Sequence, residues 1–143
     1  MLEPRKNTRL GWAWKSKKYR TWRLDFEAIR DEMDERELKW PVMIGVSHGG
    51  GRSTTFGTHR VKIGRFGPYH QITLLRHADT ETASKTMHHE LTHAEQAELI
   101  GTDFYLTAYR EERQQVGYAQ SRFEQEANAA MARHHDRPLA HER

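Results

Sequence analysis

Residues 81–100 hold a long helical period with a clear start and stop, and the rest of the chain must fold around it. Asp79 or Thr80 can cap its beginning, and Glu81 places a carboxylate in the first turn, where the helix end is positive. Gly101 is a natural terminator. Met87, Leu91 and Ala94 continue one apolar stripe. Within this helix lies His88-His89-Glu90-Leu91-Thr92-His93. Residues four apart sit one turn apart on the same side. His89 and His93 can therefore aim two imidazole nitrogens at one point while Glu90 projects beside them and Leu91 faces the core. His88, about 100° around the axis from His89, is expected at the surface or as a capping neighbour.

The flanking segments read as follows. A first helix is expected from Thr21 to Leu38, since Trp22, Phe26, Ile29 and Met33 recur at helical spacing, and Pro41 stops it. Val42 to Val46 is a short buried strand. Thr58 to Ile63 and Gln71 to Arg76 are two more strands, joined as a hairpin by the turn chemistry of Gly64, Gly67 and Pro68. His59 and His70 are expected to be ordinary strand residues. Gly49 to Gly51 is a loop; no Gly-Lys-Ser/Thr follows, so it is not a phosphate loop. After an irregular stretch through Phe104 and Tyr105, a short helix spans Tyr109 to Gln114. A last helix runs from Ala119 or Ser121 to His134, with Phe123, Ala127, Ala130 and Met131 on its apolar face and with His134 and His135 meeting the negative end of its dipole. The tail after Pro138 is expected to be loose. This order predicts an α+β fold in one domain, residues 21–143, with a small antiparallel or mixed sheet packed on an N-terminal helix, the His-bearing helix and a C-terminal glutamate helix. Residues 1–20 form a basic aromatic arm.

The chain has 10 His and no Cys, so any transition metal must be held by imidazoles and carboxylates. A catalytic zinc takes three protein ligands and keeps one position open. Three carboxylates compete for the third place: Glu124, Glu126 and Asp103. If the helix continues to Ile100, Asp103 lies roughly 15 Å along the axis from His93, and Ala94-Glu95-Gln96-Ala97-Glu98 is strongly helix-forming. A returning helix can instead bring Glu124 opposite the His pair, with Asn128 four residues on along the same side; Glu126 points elsewhere on that helix.

His89-Glu90-Leu91-Thr92-His93 is the H-E-x-x-H pattern of zinc peptidases. The metzincin extension fails, because Gln96 and Leu99 stand where Gly and His are needed. Gly101-Thr102-Asp103 resembles, in part, an aspzincin motif. Glu124-Gln125-Glu126-Ala127-Asn128 resembles the Glu-x-x-Ala-Asn of the gluzincin second helix. Over Gln71 to Arg133 the chain resembles compact zincins related to SprT-like and ImmA/IrrE-like peptidases, some of them phage-encoded. That resemblance implies a minimal zincin-like fold, with Zn2+ bound by His89, His93 and Glu124. It also implies that Ala127 allows close helix packing and that Asn128 braces a zinc-bound His. The activity implied is hydrolysis of peptide bonds in a protein or peptide substrate by a metal-activated water, with Glu90 as general base. Substrate would lie as an added strand along the strand at Gln71 to Arg76 or its partner at His59 to Ile63. Tyr105, Tyr109, Tyr118 and His134 are the candidates for a second oxyanion donor.

A competing function is a non-catalytic zincin-fold module that binds DNA or a protein partner through the arm. Residues 5–23 hold Arg5, Lys6, Arg9, Lys15, Lys17, Lys18, Arg20 and Arg23 with no acid. Interleaved with Trp12, Trp14 and Tyr19, they suit single-stranded nucleic acid, through phosphate neutralisation and base stacking; a solvated or partner-docking tail is the plainer reading. No apolar run approaches the roughly 18 residues of a membrane span, and the basic N-terminus lacks the apolar stretch of a signal peptide. A soluble cytoplasmic protein with no membrane association is expected.

Overall fold

The computed structural model describes residues 10–14, 21–47, 56–75, 78–117 and 121–143. The fold is α+β, with two small sheets and four helices among those residues. The elements in chain order are β1 (Leu10–Trp14), β2 (Trp22–Leu24), α1 (Phe26–Glu35), β3 (Val42–Ser47), β4 (Gly57–Gly64), β5 (Gly67–Leu75), α2 (Thr80–Ile100), α3 (Thr102–Val116), α4 (Arg122–Ala130), a 3-10 turn (Met131–His135) and β6 (Ala140–Glu142).

The larger sheet has the order β1-β3-β5-β4 and is mixed: β3 runs parallel to both β1 and β5, and β4 closes a hairpin on β5. Alternation sets its inner face. Val42, Ile44 and Val46 of β3 and Ile72 and Leu74 of β5 are buried in one core with Met87 and Leu91 of α2. Arg65 and Phe66 make the hairpin turn, and Gly67 has the positive φ of 114° that such a turn asks of a glycine. At the other end of β4, a side chain on Gly57 would collide with Thr86 of α2, so the bare backbone lets the strand cross the helix closely. The arm thus gives residues 10–14 to the sheet as a strand; its remaining residues, like the Gly49–Gly51 loop and Arg76, lie outside the described ones.

Several local expectations give way to long-range pairing. Trp22 does not begin a helix. It lies on β2, fully buried, and its Nε1–H donates to the Ala78 carbonyl at 2.8 Å. Helix α1 starts after Asp25, whose carboxylate caps it by accepting from the Ala28 N–H at 2.9 Å. The tail is not loose: Leu139 and Ala140 are buried, and β6 pairs antiparallel with β2 (Trp22↔Glu142, Leu24↔Ala140). Asp25 is bound to that tail as well, taking His141 Nε2 at 2.8 Å on its carboxylate and giving its N–H to Leu139 O. Residues 102–116 form one continuous helix rather than an irregular stretch followed by a short one. The last helix is α-helical only to Ala130 and tightens into the 3-10 turn.

Helix α2 contacts β4, β5, β6, β2, α3, α4 and the 3-10 turn, so it is enclosed on most sides and its buried polar groups need partners. Thr92 Oγ1 donates to the His88 carbonyl at 2.9 Å. Ser84, fully buried, hydrogen-bonds His134 Nδ1 at 2.6 Å and accepts the Leu139 N–H at 2.8 Å. His88 is fully buried and not a surface neighbour: its Nε2–H donates to the Arg137 carbonyl at 2.8 Å and its Nδ1 lies 3.7 Å from Glu32. Glu32, buried on α1, in turn accepts from Arg133 Nε at 2.6 Å and Arg137 Nη1 at 3.3 Å, with Arg36 Nε at 3.5 Å. This ionic knot pins the 3-10 turn to α1 behind the central helix. No helix among the described residues is long and apolar enough to cross a membrane.

Candidate metal centre

A different side of α2 from that knot carries His89 and His93. Their Nε2 atoms are 3.2 Å apart and their rings meet edge to face, with centroids separated by 4.9 Å. Helix α4 delivers Glu124 against them: Oε2 lies 3.2 Å from His89 Nε2 and Oε1 lies 2.9 Å from His93 Nε2. Glu124 is 2% exposed. It sits in the first turn of α4, where the helix dipole favours a carboxylate. Ser121 makes no side-chain cap; Glu112 of α3 does the capping instead, accepting from the Arg122 backbone N–H and from Arg122 Nε. Ala127, fully buried, lets α4 approach α2.

The donor set fits a metal. Two imidazole nitrogens and a carboxylate oxygen lie within 4.8 Å of one another. Ligands about 2.0–2.1 Å from a tetrahedral zinc stand roughly 3.3 Å apart, close to the separations found. This buried group can hold a metal ion.

Glu90 stands beside the trio, not in it. Its Oε1 is 3.9 Å from His89 Nε2, and the residue is 5% exposed. Burial raises its pKa above the ordinary glutamate value; His93 and His89 pull it down and Glu124 adds to the rise. Burial opposes charge on His93, but its hydrogen bond to Glu124 and the nearby Glu90 outweigh that and raise its pKa.

Of the other ligand candidates, Glu126 is exposed and outside the cluster, where its Oε1 accepts from Gln96 Nε2 at 3.3 Å. Asp103 is carried on α3, and its side chain lies outside the described residues, as do those of Tyr105 and Tyr109 and all of Tyr118. His134 is engaged with Ser84 rather than with the trio.

The expected brace is replaced. Asn128 is exposed on α4, and His93 Nδ1–H donates instead to Gln96 Oε1 at 2.9 Å. Gln96 Nε2 then donates to the Phe123 carbonyl at 3.1 Å, in the same turn that carries Glu124. One amide therefore fixes the His93 tautomer and ties its ring to α4. Spacing offered the signal: Gln96 is one turn after His93 on the same side of α2. Gln96→Ala is expected to weaken metal binding by about 10- to 100-fold, and Asn128→Ala to leave it near the starting value. Competition against a chromophoric chelator measures both; a larger loss from Asn128→Ala would contradict the assignment.

Comparison with known protein families, with curated proteins and with solved structures finds no match.

Proposed function

We propose that the chain is a zinc-dependent metallopeptidase of minimal gluzincin type, akin to the compact SprT-like and ImmA/IrrE-like zincins. One observation carries the reading. Two imidazoles a turn apart on α2 and a buried carboxylate from α4 converge within 4.8 Å, while a second buried carboxylate stands next to them, outside the donor set. A site that only held metal would need no such neighbour.

His89, His93 and Glu124 would hold the zinc, which would supply Lewis acidity at this site. Glu90, whose pKa burial raises, would take the proton as the water attacks. It then hands that proton to the departing amine. Gln96 keeps the His93 ring from turning during these transfers. Among the described residues β4 pairs with a strand on one side only, and α2 packs against it. An extended peptide added to that edge would run alongside the site.

The test is cleavage of a proteome-derived peptide library, read by mass spectrometry. Zinc-loaded protein is expected to cut a subset of peptides at internal bonds, to stop on chelation and to resume on zinc addition. Intact peptides in the presence of bound zinc would contradict the proposal.

A further inference from the structure

A file of three polar side chains runs through the core to the metal centre. Glu98, near the end of α2, accepts the Lys39 backbone N–H on Oε1 at 2.7 Å and the Trp40 backbone N–H on Oε2 at 3.2 Å. The same Oε2 is 2.7 Å from His70 Nε2 on β5, and His70 Nδ1 is 2.9 Å from His59 Nε2 on β4. Trp40 stacks on the His70 ring at 5.3 Å. At the far end, the His59 ring lies near-parallel to that of His93, with centroids 6.4 Å apart. His70 is wholly buried, whereas His59 is partly exposed. The file therefore runs from the partly exposed Glu98 through the buried His70 to the partly exposed His59 beside the metal ligands.

Its cost argues for a use. Residues around it on the inner face, Val42, Ile44, Ile72 and Leu74, are apolar and fully or almost fully buried. A Val or Ile at position 59 or 70 would serve the core without burying groups that must then be partnered. With one ring proton on each imidazole, the hydrogen bonds can run in only one direction. Three donors converge on the Glu98 carboxylate, so His70 gives it Nε2–H. A singly protonated His70 then offers a lone pair at Nδ1, and His59 must donate its Nε2–H to it. This leaves His59 with a lone pair at Nδ1.

Resting on the peptidase reading, we propose that His59 is a substrate-binding residue on the β4 wall, held by Glu98 and His70 as its Nε2–H tautomer so that Nδ1 accepts a hydrogen bond from a backbone N–H of the peptide. His70 and Glu98 are positioning residues that act through it. Position on β4 supports the assignment, since a peptide added at that strand's edge passes next to His59.

Two measurements test it. Long-range 15N–1H correlation spectra of histidine-labelled protein are expected to place the ring protons of both His59 and His70 on Nε2, and to show the His59 tautomer becoming mixed in Glu98→Gln. A ring proton on His59 Nδ1 in the unaltered protein overturns the proposal, and this readout needs no peptidase activity. In the second, His59→Phe keeps a flat ring against His93 and removes both nitrogens. It is expected to hold zinc within about threefold of the parent and to lose about tenfold in kcat/KM on the best-cut library peptide, the worth of one hydrogen bond. Unchanged kcat/KM, or a loss of zinc instead, overturns the assignment to substrate. If the parent itself cuts no peptide, the peptidase reading falls and the tautomer measurement still decides the state of His59.

Discussion

Glu90→Gln is expected to keep one metal ion per chain and to lose about 10²- to 10⁴-fold in turnover, the usual worth of a general base. The substitution preserves shape and replaces one carboxylate oxygen with an amide that cannot take a proton. Metal should remain because Glu90 is outside the donor set: the three atoms that converge belong to His89, His93 and Glu124. Folding should survive, since trading a carboxylate whose pKa burial has raised for a neutral amide removes an ionisable group from a buried place. A non-catalytic module with a structural metal predicts the opposite pattern, with salt-sensitive partner binding that the variant leaves intact. The deciding pair of readings is metal content and library cleavage on the same preparation. Turnover within threefold of the parent, with metal bound, would remove Glu90 from the mechanism.

The second large effect lies behind the central helix. Glu32→Ala is expected to destabilise the fold by about 3 kcal/mol, at the low end of the range for breaking a buried ion pair from one side. Glu32 is 0% exposed, and its loss leaves the mostly buried Arg36 facing His88 without the carboxylate between them. Arg133 and Arg137 are 40% and 33% exposed, so water screens their share and holds the figure down. Glu35, 51% exposed and bound to the same two arginines, supplies the control: Glu35→Ala should cost less than about 1 kcal/mol. Urea unfolding at pH 7 measures both, and equal costs for the two would contradict the buried knot. Acid offers a second view. Burial works against the Glu32 charge, but Arg133, Arg36 and His88 outweigh it, so the native pKa is below the ordinary 4.5. The stability it contributes is present above about pH 4.5 and is lost as pH falls through the lowered native value. Glu32→Ala should flatten the stability profile over that acid range.

The parts of the molecule legible in the sequence are those that a single helix dictates. His89, Glu90 and His93 share a side of α2 because four residues make a turn, and Asp79 and Gly101 bound that helix because caps are local chemistry. Glu124 could be nominated because Glu124-Gln125-Glu126-Ala127-Asn128 resembles the gluzincin second-helix pattern. Other features depend on which strand lies beside which. Trp22 fits the spacing of Phe26, Ile29 and Met33, yet a partner at the far end of the chain makes it a strand residue. His59 and His70 meet only because the hairpin register sets them diagonally, with His59 opposite Ile72 and Val61 opposite His70. His88 and Glu32 are separated in sequence by β3, β4 and β5 and joined by packing alone. Gln96 was within reach of helical spacing, but a brace is recognised only once the ring it holds has a known direction.

The account rests on a metal shared by α2 and α4. Zinc content of the purified chain, measured by inductively coupled plasma mass spectrometry alongside Glu124→Ala and Glu126→Ala, tests it most directly. The expected result is one zinc per chain in the parent and in Glu126→Ala, and little or none in Glu124→Ala. A parent chain that binds no zinc when offered it, or a Glu124→Ala variant that binds as the parent does, would contradict the account.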